Sequence, residues 1–580
     1  MATWQEWKND NNTVGTLHYV SVEKYPLSAE EINQALSQWP ELQELKEDLL
    51  ASYPLAVKGF HRLNFTEDNV TLTLIFDDVN AAFSECLVQV DAWYLDGFDP
   101  KKNPEMWRLE LFHKMAEKSK KGTTLSTYTA VGEIKRQLQS LGFEMERVKG
   151  FGYKRHMLRG HYNGDQIVEE KEPWYTYPTA TYEHQKAIVI GAGLAGAAIS
   201  RSLAEKKWEV TVIEEKEVAC GASGNAQGMF HPLPSLEEAP LSRFYLNAFL
   251  YSLPRFQQWL EPSDYKLCGV LFPAINKDLK EKQRQLIEKI NWPTGMIQWL
   301  TSEKSSLLSG LAMDEEALFF PKGGWLSPSR LCDIQLQHPR ITLQTNTRVK
   351  ELRKHNSQWQ VFDEQGKCIS EASVLVIANA NQALNFSQTQ WLPLRSLRGQ
   401  LSYVTTNKKT EELKTVLVGD SYILPQYNER HVVGATYSPH DSSSEVKKKD
   451  HLENYHQLPS SIKKRIDVET VENWGGRVSF RSASQDYLPL IGPVPDSETF
   501  KRDYGDLHHG KQFKKYPQGS YLQGLYVTVG HGSRGIISSQ LAAELLISHI
   551  NKAPLPLEKS VVNALNPARF LIRQLKRNKI

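Results

Sequence analysis

The sequence predicts an α/β protein of two successive parts, each built from strands covered by helices, and three observations carry that expectation. Short apolar runs alternate with helical spacing from Leu17 onward, the rhythm of strand-helix-strand units. Further along, the apolar run Ala187-Ile-Val-Ile190 leads straight into Gly191-Ala-Gly-Leu-Ala-Gly196, a glycine-rich turn that opens a helix. The chain also has 580 residues, more than one hydrophobic core ordinarily organises.

The first part spans 1–165. Leu17 to Val22 reads as a strand, helical spacing runs from Ile32 to Leu50 with a break at Pro40, and Val70 to Phe76 and Val88 to Leu95 read as further strands. This rhythm predicts a mostly parallel sheet, patterned like the later part of a doubly wound domain. Acidic residues stand at the strand ends: Glu23, Asp78 in Phe76-Asp-Asp78, and Asp96 in Val90-Asp-Ala-Trp-Tyr-Leu-Asp-Gly-Phe-Asp-Pro100. Ligands of such sheets bind at the carboxyl ends of the strands, but acids there equally serve as helix caps. From Gly160 to Gln185 the chain turns polar and irregular, with Glu169-Glu-Lys-Glu-Pro-Trp-Tyr-Thr-Tyr-Pro178, which predicts a linker over 166–185.

The second part, 186–580, continues its glycine loop into a helix from Ala195 to Lys206 and a second strand, Trp208 to Ile213, ending on Glu214. Glu214 falls 18 residues after Gly196, the placing of the acid that accepts ribose hydroxyls. Gly191, Gly193 and Gly196 permit a tight turn and bring a pyrophosphate against the helix N-terminus, where free amides and the dipole favour an anion. Three later segments favour FAD over a nicotinamide cofactor. Cys220-Gly-Ala-Ser-Gly-Asn-Ala-Gln-Gly228, with Ser223, Gly224, Gln227 and Gly228, is a second run of small residues that lets backbone approach a long cofactor. Ser373-Val-Leu-Val-Ile-Ala-Asn-Ala380 is an apolar strand ending in small residues. Leu525-Tyr-Val-Thr-Val-Gly-His-Gly-Ser-Arg-Gly535 is a strand entering a turn, with Gly532, Ser533, Arg534 and Gly535, and then a helix from about Ile537 to Ile547. The N-terminus of that helix would stabilise negative charge on a reduced flavin.

Composition limits the remaining classes. Hydrophobic residues at 40% and charged residues at 23% suit a folded domain, and no apolar run approaches the roughly 18 residues of a membrane span. Met1-Ala-Thr-Trp-Gln-Glu-Trp is polar, so no secretory signal is expected and a cytoplasmic location is. Five scattered cysteines without a CxxC pair predict free thiols and no metal site. The net charge of +2 decides nothing about polyanions, but Lys149-Gly-Phe-Gly-Tyr-Lys-Arg-His156 and Arg569-Phe-Leu-Ile-Arg-Gln-Leu-Lys-Arg577 are basic. Each reads either as a solvated surface or as a phosphate contact.

From Lys186 to the C-terminus these segments resemble the D-amino-acid oxidase and glycine oxidase superfamily. Ser479-Phe-Arg-Ser-Ala-Ser-Gln-Asp-Tyr-Leu-Pro-Leu-Ile-Gly492 resembles the segment whose arginine binds the substrate carboxylate, which places that role on Arg481. The resemblance implies a two-part FAD-binding domain with an antiparallel-sheet substrate subdomain. It also implies hydride transfer from the α-carbon of an amine, followed by hydrolysis of the imine.

Upstream, Asp96-Gly-Phe-Asp-Pro-Lys-Lys-Asn-Pro-Glu-Met-Trp107 and Lys149 to Arg155, together with the domain order, resemble the bifunctional tRNA wobble-uridine enzymes of the MnmC family. This implies a Rossmann-like methyltransferase domain using S-adenosylmethionine, with Glu23 on its ribose, Asp78 near its adenine and Asp96 orienting or deprotonating the attacking amine. The implied partner is tRNA bearing 5-carboxymethylaminomethyluridine, which carries a glycine attached through nitrogen. The alternative is a free glycine or sarcosine oxidase with a non-catalytic docking domain. The oligomeric state is not readable from the sequence.

The family's methyltransferase opens with a strand and a loop of E-x-G-x-G type, and nothing before Glu23 matches it. The domain as it stands here therefore reads as lacking that strand and loop, and this chain alone is expected to bind S-adenosylmethionine poorly. Titration calorimetry checks this: absence of micromolar binding agrees, and a micromolar Kd contradicts it.

Overall fold

The computed structural model describes all residues except 11–14, 153, 166–171, 177–180, 183 and 511–513. The predicted linker therefore lies largely outside the described residues, as does Tyr153 of the first basic segment.

In the N-terminal part, β1 (Leu17–Val22), β2 (Gly59–Phe65) and β3 (Val70–Phe76) form one sheet in the order β1-β3-β2. A second sheet has β4 (Val90–Leu95), β5 (Ser119–Thr127), β6 (Phe143–Lys149) and β7 (His156–Tyr162) in the order β4-β5-β7-β6. Pairings β1-β3 and β4-β5 are parallel, whereas β2-β3, β5-β7 and β6-β7 are antiparallel. The expectation of a mostly parallel sheet is thus corrected. The physical reason is local: Thr66-Glu-Asp-Asn69 turns β2 back along β3, with Asn69 at φ 53, and the bond from Gly150 N to Arg155 O marks the reversal between β6 and β7. The two sheets meet where the Tyr19 and Tyr94 rings stack at 6.4 Å.

The larger part has two large sheets and two three-stranded ones. Its six-stranded sheet runs Ile341–Gln344, Glu209–Ile213, Lys186–Ile190, Val374–Ile377, Tyr521–Val529, Leu490–Pro495, parallel throughout except for the last pair. Its central strands are apolar on both faces because the helices Leu194–Glu205 and Gly535–Ile550 cover one side and a smaller apolar cluster around Trp359 the other. An eight-stranded sheet, antiparallel except for one parallel pair, stands beside it and contains the long strands Leu394–Thr405 and Gly475–Ser484. This is the expected substrate subdomain.

Two basic or polar segments pack more tightly than their composition suggests. The helix Ala568–Lys576 is not a solvated C-terminal helix: Phe570, Leu571, Ile572 and Leu575 are buried. Arg569 is only 3% exposed, donating to both Asp486 oxygens and to the carbonyls of Leu488, Pro489 and Leu565. Arg573 also reaches Asp486, at 3.2 Å, so this segment's charge is largely spent internally. Within the linker span, Trp174 is buried among Phe500, Tyr504 and Leu575.

The two parts meet through β2, which lies against the helix Pro240–Trp259 and the C-terminal half of Gly535–Ile550. Arg62 is buried, donates to Pro554 O at 2.6 Å and faces buried Glu544 at 3.8 Å. Glu544 also accepts from Asn64 at 3.0 Å and from Tyr251 at 2.8 Å. A buried carboxylate of this kind is tolerated only while its partners remain. Arg62→Met should therefore lower unfolding stability by about 3 kcal/mol, with Arg62→Met/Glu544→Leu recovering part of it, checked by denaturant melts. Equal stability of the single variant and wild type would contradict this reading.

Candidate active site

A cavity of about 680 Å³ opens where the strands Lys186–Ile190, Val374–Ile377 and Tyr521–Val529 end. Gly191 sits there at φ 106, a conformation favouring glycine, and a Cβ on it would lie 2.8 Å from Ala378 O. A Cβ on Gly196 would lie 1.8 Å from Gly191 O, so Gly196 seats the helix on the loop and is not part of the cavity wall, whereas Gly191 and Gly193 are. Glu214 lines the cavity and accepts from Ala192 N at 2.8 Å and Lys216 N at 3.0 Å. Ser223 Oγ accepts from Leu194 N at 3.1 Å, at the helix N-terminus.

The second small-residue run wraps the same space. Arg477 reaches it from the antiparallel sheet, donating to Cys220 O and to Asn225 Oδ1, both at 2.9 Å. Gly224 gives that guanidinium room, since a Cβ would stand 2.6 Å from its Nη2. Gly228 lines the cavity; Gly224 does not, and neither does Gln227, which is fully buried with its amide on Pro425 O at 3.3 Å. On the opposite wall, the Asn379 and Asn381 side-chain oxygens are buried without a partner among the described residues. A glycine-lined floor, a helix N-terminus, a carboxylate lining the cavity and orphan polar atoms fit an adenine dinucleotide such as FAD.

At the other end of the cavity, Gly532, Ser533, Arg534 and Gly535 lead into the helix Gly535–Ile550. His531 is pinned between Thr528 Oγ1 at 3.0 Å and Ser538 Oγ at 2.8 Å, and burial holds its imidazole down to about 4. Arg481 comes from Gly475–Ser484 and donates to Ser533 Oγ at 2.8 Å and Thr436 O at 2.9 Å. Its guanidinium lies against Gly399, where a Cβ would meet Nη2 at 2.3 Å, and among the described residues no carboxylate acts on its charge, only the Tyr422 and Tyr437 phenols. Tyr422 and His231 share this wall. Burial pushes the Tyr422 phenol up to about 12 and the His231 imidazole down to about 3, so both are neutral at pH 7. Two cations, Arg481 and Arg534, line this end with the neutral Tyr422 and His231, a setting matched to a carboxylate.

Sequence reasoning missed Arg477, Tyr422, His231, Asn379 and Asn381. Arg477 had a signal: period-two spacing puts it on the same strand face as Ser479 and Arg481. Asn379 lay within the strand Ser373 to Ala380 that the sequence marks as cofactor-facing, though not singled out there; Tyr422, His231 and Asn381 carry no such signal.

The N-terminal carboxylates divide. Asp78 is the cap of the helix Val79–Glu85, accepting from Asn80 N at 3.0 Å and pairing with Lys24 at 3.3 Å, so capping accounts for it. Glu23 and Asp96 converge at the ends of β1 and β4; partial burial, and after it the charge of Asp96, raises the Glu23 carboxyl. This pair fits a ribose- and cation-bearing donor, whereas Asp78 does not offer a free carboxylate.

The fold and cavity define a flavin-dependent oxidoreductase joined to a second α/β domain. Residues 186–548 match the family of FAD dependent oxidoreductases, and residues 40–163 match S-adenosyl-L-methionine-dependent methyltransferases. The chain is 38% identical over 581 aligned residues to the tRNA 5-methylaminomethyl-2-thiouridine biosynthesis bifunctional protein MnmC of Stutzerimonas stutzeri, covering 99% of this chain and 88% of that one. The corresponding protein of Chromobacterium violaceum is 37% identical, covering 100% of this chain and 89% of that one. Glycine oxidase from Geobacillus kaustophilus shares the fold, with a TM-score of 0.52, 21% identity, 67% of this chain and 99% of that chain. The chain belongs to the MnmC family of bifunctional proteins, with an FAD-dependent oxidoreductase domain and an S-adenosylmethionine-dependent methyltransferase domain. Among the described residues no helix is long and apolar enough to cross a membrane, and no cluster of His, Cys, Asp or Glu could hold a metal ion.

The His531 geometry makes a pH prediction. Because the folded state lowers its imidazole from 6.5 to about 4, the stabilising contribution is complete above pH 6.5 and is lost as pH falls towards 4. His531→Asn should therefore show a smaller fall in Tm than wild type across that window; an equal fall would contradict it.

Proposed function

We propose that this chain finishes a wobble uridine of tRNA in the cytoplasm. The flavin domain oxidatively removes the carboxymethyl group of 5-carboxymethylaminomethyl-(2-thio)uridine, leaving the 5-aminomethyl form; methylation of that amine to 5-methylaminomethyl-(2-thio)uridine is the reaction of the N-terminal domain when S-adenosylmethionine is bound, and the poor donor binding expected of this chain alone makes it the weaker of the two steps. The domains divide at 1–165 and 186–580. The observation that carries the reading is Arg481, a cation with no carboxylate acting on it among the described residues, in the same cavity as the dinucleotide-fitting loop. A glycine attached through nitrogen presents the carboxylate this cation needs and an amine beside it.

FAD, when bound, supplies a hydride acceptor for the carbon between the amine and the carboxylate. Gly191, Gly193, Glu214, Ser223 and Gly228 hold it, with Gly196, Gly224 and Gln227 shaping the loops behind them. Gly532, Ser533, Arg534 and Gly535 place a helix N-terminus at the cavity. Arg481 fixes the carboxylate and so aligns the C–H bond, while neutral Tyr422 and His231 add hydrogen bonds without competing charge. Loss of hydride gives an imine, and its hydrolysis releases glyoxylate and the primary amine. In the N-terminal domain, Glu23 holds the methyl donor's ribose and Asp96 orients the incoming amine.

Mass spectrometry of tRNA nucleosides after incubation with the carboxymethyl form tests this. The expected result is conversion to the 5-aminomethyl or 5-methylaminomethyl form, with Arg481→Met raising KM roughly 10- to 100-fold for the loss of a charge-assisted hydrogen-bond pair. Turnover of free glycine or sarcosine, with tRNA unchanged, would establish the free amino-acid oxidase reading instead.

A further inference from the structure

Beside the Arg481 end of the cavity stands one aromatic ring that neither the core nor the carboxylate site uses. Thr436 N donates to Gln400 O at 3.3 Å and Ser438 N to Arg398 O at 3.0 Å, so Tyr437 between them stands opposite Gly399. Directly opposite residues of an antiparallel pair share a face of the sheet, and Gly399 is in turn opposite Ser479, two residues before Arg481. Gly399 and Ser479 line the cavity, which puts Tyr437 on the cavity's side of the sheet with no side chain at Gly399 to screen it. The Tyr422 and Tyr437 phenols both act on the Arg481 charge.

The two tyrosines face different surroundings. Tyr422 is part of the cavity wall, whereas Tyr437 stands outside it and is 51% exposed, which places its ring at the rim. Its backbone is anchored. Thr436 Oγ1 accepts from Gln400 N at 3.0 Å, and Thr436 O accepts from Arg481 at 2.9 Å, so the guanidinium that receives a carboxylate also fixes the segment carrying the ring.

Spacing decides what meets that ring. From a carboxylate on Arg481, through the amine and one further carbon, a substituent ring begins about 5 Å away, at four bonds of about 1.5 Å each. A flat ring attached there arrives at the rim, but the methyl group of sarcosine stops short of it. Stacking tolerates many ring types because each has a π-face.

We propose that Tyr437 determines specificity for the substituent on the amine, and that the flavin domain therefore also oxidises free N-arylmethyl glycines, such as N-benzylglycine, in preference to sarcosine. Hydride leaves the carbon between amine and carboxylate for FAD, and the nitrogen gives up its proton to leave an imine. Water adds across the C=N bond and the C–N bond breaks, giving glyoxylate, benzylamine and reduced flavin. The proposal rests on the reading of Arg481 given above and adds the group that reads the other side of the amine.

Anaerobic stopped-flow absorbance of the full-length, flavin-loaded protein tests it, with N-benzylglycine, sarcosine and tRNA bearing the carboxymethylaminomethyl group mixed in turn. Wild type should be half-saturated by N-benzylglycine at about one-tenth of the sarcosine concentration, and Tyr437→Ala should bring the two within about twofold. Tyr437→Phe and Tyr437→Trp should keep the preference. A merely structural Tyr437 would shift both amines together and leave their ratio as it is. If Tyr437→Ala does not retain FAD, Tyr437→Leu carries the same comparison. No bleaching by N-benzylglycine, no preference for it over sarcosine, or a preference that survives loss of the ring overturns the proposal. Bleaching by the modified tRNA in any of those cases leaves the tRNA reading standing, and its absence removes that reading as well.

Discussion

The structure depends on one close approach: the glycine loop passes between the strand ends with no room for a side chain. A Cβ on Gly191 would meet Ala378 O, and one on Gly196 would meet Gly191 O at 1.8 Å. This contact lets the helix Leu194–Glu205 begin directly above the carboxyl ends of the central strands, so that its free amides face the cavity. Glu214, one strand over, ties back to the loop through Ala192 N, and Ser223 ties the second small-residue run to Leu194 N. Widening the loop at either glycine would move the helix, the acid and the Ser223 loop together.

The second half of the site is set by strands that enter from the antiparallel sheet. Gly475–Ser484 delivers Arg477 to the cofactor-side loop and Arg481 to the substrate end, so one strand couples the two regions. The helix Gly535–Ile550 has a similar double role. Its first residues line the cavity, while Glu544, further along, is buried against Arg62 and Asn64 of the N-terminal domain. The two domains therefore share a structural element that begins at one site and ends at the interface, and the orientation of each is fixed by buried charge as well as apolar packing.

Much of this was legible in the sequence where the signal is local. The loop Gly191 to Gly196, the strand before it and the acid after it are set by spacing within about one βαβ unit, and the observed elements Lys186–Ile190, Leu194–Glu205 and Glu209–Ile213 follow that reading within a residue or two. The antiparallel substrate subdomain followed from resemblance and not from periodicity. What sequence could not show has physical causes. The strand Gly59–Phe65 was overlooked because His61, Arg62 and Asn64 break its apolar pattern, yet His61 and Arg62 are buried, with partners supplied by Val57 O and by the other domain. Arg569 reads as a solvated or phosphate-contacting cation because it is charged, but Asp486 and four carbonyls satisfy its donors inside the fold. Tyr422 and His231 reach the cavity from segments nearly 200 residues apart, a convergence that only the folded sheet creates.

The central claim is that one cavity holds FAD and a carboxylate-bearing amine that is part of tRNA. Anaerobic stopped-flow absorbance of the flavin-loaded protein tests it most directly, mixing it in turn with tRNA bearing the carboxymethylaminomethyl group, the same tRNA without that group, and free sarcosine. The account predicts rapid bleaching of the flavin band with the first and none with the second, with sarcosine far slower. Bleaching by sarcosine as fast as by the modified tRNA, or no bleaching by the modified tRNA, would contradict it.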